Sequence, residues 1–229
     1  MHFLLPALLL LAILFLPSLW VKRVMQRYSQ PEDRYAVTGA VAARRLLDLH
    51  GLQQVRVEVT QTGDHYDTHE RVVRLLPNNH DGRSLTAITI AAHEVGHAVQ
   101  QASGYRPLSL RSQLVRLLGP LEKVGAALLM AAPVIVAATR LPGAGGLMVL
   151  GGLLTLGSAI LVHLVTLPTE FDASFRRALP MLADNDVLIS GDERHARRLL
   201  TAAAMTYVSA SLMSLLNIAR WWAILRRVY

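Results

Sequence analysis

The sequence predicts an α+β membrane protein: a small domain of helices and short strands attached to a bundle of three to four transmembrane helices. Three observations predict it. Apolar residues make up 52% of the 229-residue chain, above the ~45–50% usual for soluble domains. They gather into long runs rather than spreading evenly, which is the pattern of membrane spans. Between the first two runs, residues 22–116 carry the helix and strand periodicities of a folded polar domain.

The first run, Phe3 to Val21, is nearly uninterrupted and ends in Lys22, Arg23 and Arg27. It is close to the ~20 residues that cross a bilayer core. A cleaved signal peptide places charge before the apolar run and small residues after it. Here the order is reversed, so residues 1–21 are predicted to be an uncleaved transmembrane anchor.

Within 22–116, Thr38 to His50 has helical periodicity, with Val41, Ala42, Leu46, Leu47 and Leu49 apolar and Gly51 as the stop. Gln54 to Thr60 alternates Val55, Val57 and Val59 with Arg56 and Glu58, a strand pattern. Thr62-Gly63-Asp64 is a turn signal, and the adjoining Asp64-His65-Tyr66-Asp67 reads as a hydrogen-bonded turn or as one wall of a substrate cleft. Glu70 to Leu76 is a further strand, whose neighbourhood offers an edge to an extended peptide. After Asp81-Gly82 an apolar helix follows.

Two more long apolar runs, Leu117 to Thr139 and Leu147 to Leu167, flank Leu141-Pro142-Gly143-Ala144-Gly145-Gly146. Residues 117–167 are therefore predicted to be a transmembrane hairpin, and the glycines of 145–157 serve close helix packing. Residues 168–200 form a polar segment, and 201–229 a last apolar helix. That helix carries Asn217, Arg220, Trp221 and Trp222, so a crossing and a packed helix are both open for it.

Charge and composition exclude several functions. The chain has no cysteine, which removes disulfides, thiolate zinc sites and cysteine nucleophiles together. The formal net charge is +7, but the basic residues lie beside the spans: Lys22, Arg23, Arg27 and Arg34 after the first, then Arg176, Arg177, Arg194, Arg197 and Arg198 after the third. By the positive-inside rule these regions face the cytoplasm and the amino terminus faces out. Topology accounts for the charge, and nucleic acid is not an expected partner.

The chemistry lies in the helix after Asp81-Gly82, in His93-Glu94-Val95-Gly96-His97. Positions i and i+4 share a helix face, so the two imidazoles can converge on one zinc ion (Zn2+), with Glu94 beside it as general base toward water. The flanks Ala91, Ala92, Ala98 and Val99 are apolar, and buried histidines and glutamate are costly without partners. Two histidines leave a catalytic zinc one protein ligand short. Two membrane crossings separate His93 from residue 168 onward, so both return to one side. Just there stand Pro168-Thr169-Glu170-Phe171-Asp172-Ala173-Ser174. Glu170 is the predicted third ligand, with Ser174 one turn on as its neighbour. Asp172 is the alternative if a helix begins late after Pro168. His163 reads as a packed neutral histidine, and His50, His69, His80 and His195 as surface residues.

With helix, strands and histidine helix in this order, the polar domain is zincin-like. The sequence resembles the bacterial neutral membrane zinc metallopeptidases. The resemblance runs through Ala42 to Leu47, Gly51-Leu52, Asp64 to Asp67, Arg83-Ser84-Leu85, Ala91 to Gln100, Glu170 to Ser174 and Leu200 to Val208, with Thr68 where the family pattern has proline. It implies zinc at His93, His97 and Glu170, Glu94 as catalytic base, and a multi-pass protein of the bacterial inner membrane. The expected activity is endopeptidase cleavage of peptide or membrane-protein substrates at the cytoplasmic face, with Tyr66, His65 and Tyr105 as candidates to stabilise the oxyanion. The rival is a non-proteolytic membrane adaptor or chaperone with a structural zinc, which would require a fourth protein ligand.

Overall fold

The first strands and helices form where the local signals place them, but their lengths and pairing are set by packing. The computed structural model describes residues 4–140, 142–185 and 187–228; residues 4–14, 142, 144, 147, 156, 159 and 211–228 are described as helical backbone only. Helix α1 (Leu4–Tyr28) is followed by α2 (Gly39–Leu49), whose N-cap Thr38 accepts from the Val41 amide. Three short strands follow: β1 (Arg56–Val59), β2 (His65–Asp67) and β3 (Val72–Leu75). They form one sheet in the order β1-β3-β2, with β1 parallel and β2 antiparallel to β3.

Asp64 to Asp67 is therefore not a free turn. Residues 65–67 pair with β3 in the register His65↔Arg74, Tyr66↔Val73 and Asp67↔Val72. Asp64 closes this connection, accepting from the Leu76 amide at 2.7 Å and from Asn79 Nδ2 at 2.8 Å. Consequently β3 is the central strand, and the open edge on that side of the sheet belongs to β2.

The single turn α3 (Pro77–His80) leads into α4 (Leu85–Ala102), capped by Ser84. Helix α4 is buried on nearly all sides. Its Ile88, Ala91, Ala92 and Val95 share one core with Leu46 and Leu47 of α2 and Val73 and Leu75 of β3. Burial of the larger of these side chains, Ile, Val and Leu, at ~1.5–3 kcal/mol each, holds α4 in the core of the domain.

Two long helices follow, α5 (Arg106–Thr139) and α6 (Pro142–Phe171). The break between them is shorter than the sequence predicts, because helix resumes at Pro142. Arg140, with φ 56, turns the chain there. Helix α6 does not end at Pro168; it runs through that proline and continues as a π-helix (Asp172–Ala178) and α7 (Leu179–Asp184). Pro168 does not begin a helix, so Glu170 sits inside a continuous helical run. The final helix is α8 (Glu193–Val228).

The runs Arg106–Thr139 and Met148–Asp184 are long and apolar enough to cross a membrane, and only 17% and 6% of their most apolar windows are buried in the protein. The core helix of a soluble domain would be mostly buried. The side chains of Asn217, Arg220, Trp221 and Trp222, and Phe3 at the start of the first apolar run, lie outside the described residues.

The chain divides into two units. One comprises residues up to Ser109 together with Pro168–Thr206, and the other comprises Leu110–Leu167 with the chain from Tyr207. Inside the second unit, Gly125 and Gly152 bring α5 and α6 into backbone contact: a Cβ on Gly125 would strike Thr155, and one on Gly152 would strike Leu129. In the first unit a buried tie joins the chain after α1 to the start of α8. Asp192, 2% exposed, accepts two hydrogen bonds from the Arg34 guanidinium and one from the Tyr35 hydroxyl, each at 2.7 Å. Burial works against its ionisation, but these donors outweigh it and hold the carboxyl below its usual range. Burial, then Asp192, pushes the Tyr35 hydroxyl up. His195, expected at the surface, is exposed and meets the Tyr28 hydroxyl at 2.9 Å.

Candidate metal centre

The helical period places His93 and His97 one turn apart on α4, with ring centroids 4.8 Å apart and nearly perpendicular planes. Both are buried, as is Glu94 between them in sequence. Glu170 comes to them from the end of α6. Its Oε2 lies 3.2 Å from His93 Nε2 and 3.5 Å from His97 Nε2, and the residue is 0% exposed. A tetrahedral zinc with donors about 2.0–2.1 Å away holds neighbouring donors about 3.3 Å apart. The three donors therefore have the spacing and the chemistry of a zinc site, and their ligand atoms all lie within 4.8 Å of one another.

Close approach of the two helical segments makes this possible. Gly96 faces Ala173 of the π-helix, and a Cβ there would lie 2.8 Å from the Ala173 carbonyl oxygen. Any larger residue at 96 would push Glu170 away from the histidines.

The other imidazole nitrogens are engaged as well. His93 Nδ1 lies 3.2 Å from Ser174 Oγ, and His97 Nδ1 lies 2.9 Å from Gln100 Oε1. Gln100 in turn donates at 2.8 Å both to the Thr169 carbonyl and to Asp172 Oδ2. Arg177 completes the set, its Nε 2.7 Å from Asp172 Oδ2 and its guanidinium 5.7 Å from the Tyr105 ring centre. Such outer partners orient metal-ligating histidines and set which nitrogen is bare.

The structure thus brings together His93, His97 and Glu170, with Ser174 beside them. Asp172 is not in the converging group; it reaches Gln100 instead. On a regular α-helix Asp172 would point away from the Glu170 face. A wider π-turn, of a kind that recurs at functional sites, begins at Asp172, and from it Asp172 reaches Gln100 and Ser174 reaches His93. Local pattern alone does not single out Gln100. Its position three residues after His97, on the same helix face, was the available signal.

The oxyanion candidates are placed as follows. Tyr66 donates to Gln101 Oε1 at 2.7 Å, and burial pushes its hydroxyl up to about 12. His65 Nδ1 meets the Gly63 carbonyl at 2.8 Å. Tyr105 reaches the Pro168 carbonyl at 3.5 Å, and burial together with the Asp172 charge raises its hydroxyl above the ordinary value.

Residues 3–226 match the model of a protein family described as "Putative neutral zinc metallopeptidase". The chain belongs to this family. Along 213 residues it is 35% identical to a Bacillus subtilis (strain 168) protein named "Putative membrane protease YugP", covering 92% of this chain and 91% of the relative. No solved structure gives a significant match. The family's name calls for zinc, and the buried His93, His97 and Glu170 are residues of this member that could hold it.

Proposed function

We propose that the protein is a membrane-anchored, zinc-dependent endopeptidase whose site faces the cytoplasm. The observation that carries this reading is the convergence of His93 Nε2, His97 Nε2 and Glu170 Oε2 in a buried group. Among the described residues that group has three members, and three protein ligands are the mark of a catalytic zinc, whereas structural zinc sites use four. Membership of a zinc metallopeptidase family and the similarity to a protein named as a membrane protease support the same reading.

In this mechanism His93, His97 and Glu170 hold the metal. Zinc, when bound, supplies a Lewis acid that polarises the scissile carbonyl and acidifies water. Glu94, next to His93 and buried with it, takes a proton from the attacking water. It returns that proton to the departing amine, so one water and one peptide bond become a carboxylic acid and an amine. The burial of Glu94 keeps bulk water from competing for the proton.

An extended segment of substrate pairs with the open edge of β2, where strand addition satisfies its backbone groups. The anchor α1 and the runs Arg106–Thr139 and Met148–Asp184 hold the site at the bilayer as parts of a three- or four-helix bundle. The arginines and lysine that follow the spans support the cytoplasmic orientation.

The deciding experiment compares wild type with Glu94→Gln for zinc content and for hydrolysis of a generic unfolded protein. Both should carry zinc, and the variant should hydrolyse at least about a hundredfold more slowly. Equal hydrolysis by two zinc-loaded proteins would overturn the peptidase reading.

A further inference from the structure

We infer that Gln100 is a positioning residue for the metal centre: it sets the tautomer of His97, so that the bare nitrogen of the ring is the one facing Glu170. This rests on the metal reading above. The carboxamide is fully buried and makes three hydrogen bonds, whose directions can be worked out from the chemistry of the partners alone. On one side lie the Thr169 carbonyl and Asp172 Oδ2, both at 2.8 Å. A carbonyl can only accept, and Asp172 is paired with Arg177 Nε at 2.7 Å, so its carboxylate accepts too. The amide nitrogen must face this pair, because a flipped amide would press its oxygen against two acceptors.

The opposite end of the amide is then the oxygen, 2.9 Å from His97 Nδ1. An amide oxygen only accepts, so Nδ1 of His97 carries the proton. In the neutral ring Nε2 is left with its lone pair, and Nε2 is the atom 3.5 Å from Glu170 Oε2. The tautomer of His97 is thus dictated from Asp172, through one buried amide. His93 is held differently. Its Nδ1 meets the Ser174 hydroxyl at 3.2 Å, and a hydroxyl can donate or accept, so Ser174 orients that ring without choosing its tautomer. Arg177, lying over Tyr105, donates to Asp172 Oδ2 and closes the relay on its outer side.

The test uses full-length protein in detergent. In metal-free wild type at mildly alkaline pH, nitrogen NMR of labelled histidine should show His97 protonated at Nδ1. In Gln100→Leu that preference should be lost. Zinc affinity, measured by competition with a chelator, should weaken about 10- to 100-fold in Gln100→Leu. Gln100→Met fills nearly the same space but has no amide to accept from His97 Nδ1. It should weaken zinc binding about as much as Gln100→Leu does, which a residue that only filled the core would not show.

If Gln100→Leu binds zinc as tightly as wild type and keeps the same tautomer, while melting at lower temperature, Gln100 is only a packing residue and the inference is wrong. Should Gln100→Leu not fold, Gln100→Met and the wild-type tautomer decide the matter. A wild type that binds no zinc sinks the metal reading itself, and the metal-free tautomer still decides the assignment of Gln100.

Discussion

Gly96→Ala is the sharpest probe of how the metal centre is assembled. In an exposed helix this change would stabilise by about 1 kcal/mol through helix propensity. Here the new Cβ meets the Ala173 carbonyl oxygen at 2.8 Å and its carbonyl carbon at 3.4 Å. A comfortable carbon–oxygen contact is about 3.3 Å or more, so α4 and the π-helix must part by about 0.5 Å. Overpacking of this kind costs about 1–3 kcal/mol. Set against the propensity gain, the net loss is about 0–2 kcal/mol, a fall in Tm of roughly 0–8 °C for a chain of this size. The effect on the site is larger than that on the fold. A shift of about 0.5 Å is the limit a preorganised constellation tolerates, and Glu170, three residues before Ala173, moves with it. Zinc affinity should therefore fall about tenfold or more. The assay is chelator competition alongside thermal unfolding, with Gly119→Ala as control, since nothing lies within 4 Å of a Cβ at that helical position. Wild-type zinc affinity in Gly96→Ala would show that the close approach of the two segments does not hold the site.

Further outcomes follow from the same geometry. Glu170→Gln should abolish tight zinc binding, whereas Asp172→Asn should weaken it only about tenfold, because Asp172 acts through Gln100; a reversal of that order in metal analysis would make Asp172 the ligand. Asp192→Asn should destabilise the protein by about 1–3 kcal/mol at neutral pH, since it loses charge-assisted bonds from Arg34 and weakens that from Tyr35. The folded-state pKa of Asp192 is depressed from its ordinary 3.8, so its contribution is fully present above that value and is lost as pH falls through the lower folded one. Acid unfolding curves of wild type and Asp192→Asn should accordingly converge below about pH 4; a gap that widens on acidification would contradict the sign.

Much of the fold could be read from local pattern. The α2 and α4 periodicities, the alternation of Val55, Val57 and Val59, and the long apolar runs each reflect burial that repeats every few residues. Where local pattern and structure differ, a non-local partner or a tolerated proline is the cause. Asp64 to Asp67 looks like a turn because aspartate favours turns, but pairing with β3 draws its last three residues into a strand. Pro168 looks like a helix start because it lacks an amide proton. The helix nevertheless runs through it, forgoing only the one bond that an amide at residue 168 would give to the carbonyl four residues back.

The sequence by itself determined the pair His93 and His97, because an α-helix puts residues four apart on one face whatever surrounds it. It also determined the apolar runs and the short list of carboxylates from which a third donor could come. Only the tertiary structure decided which of them converges on the histidines and how the rings are held. The meeting of Glu170 with His93 spans 77 residues, and that of Gln100 with Asp172 spans 72. Neither is encoded in a local period. Both depend on Gly96 letting two helical segments touch.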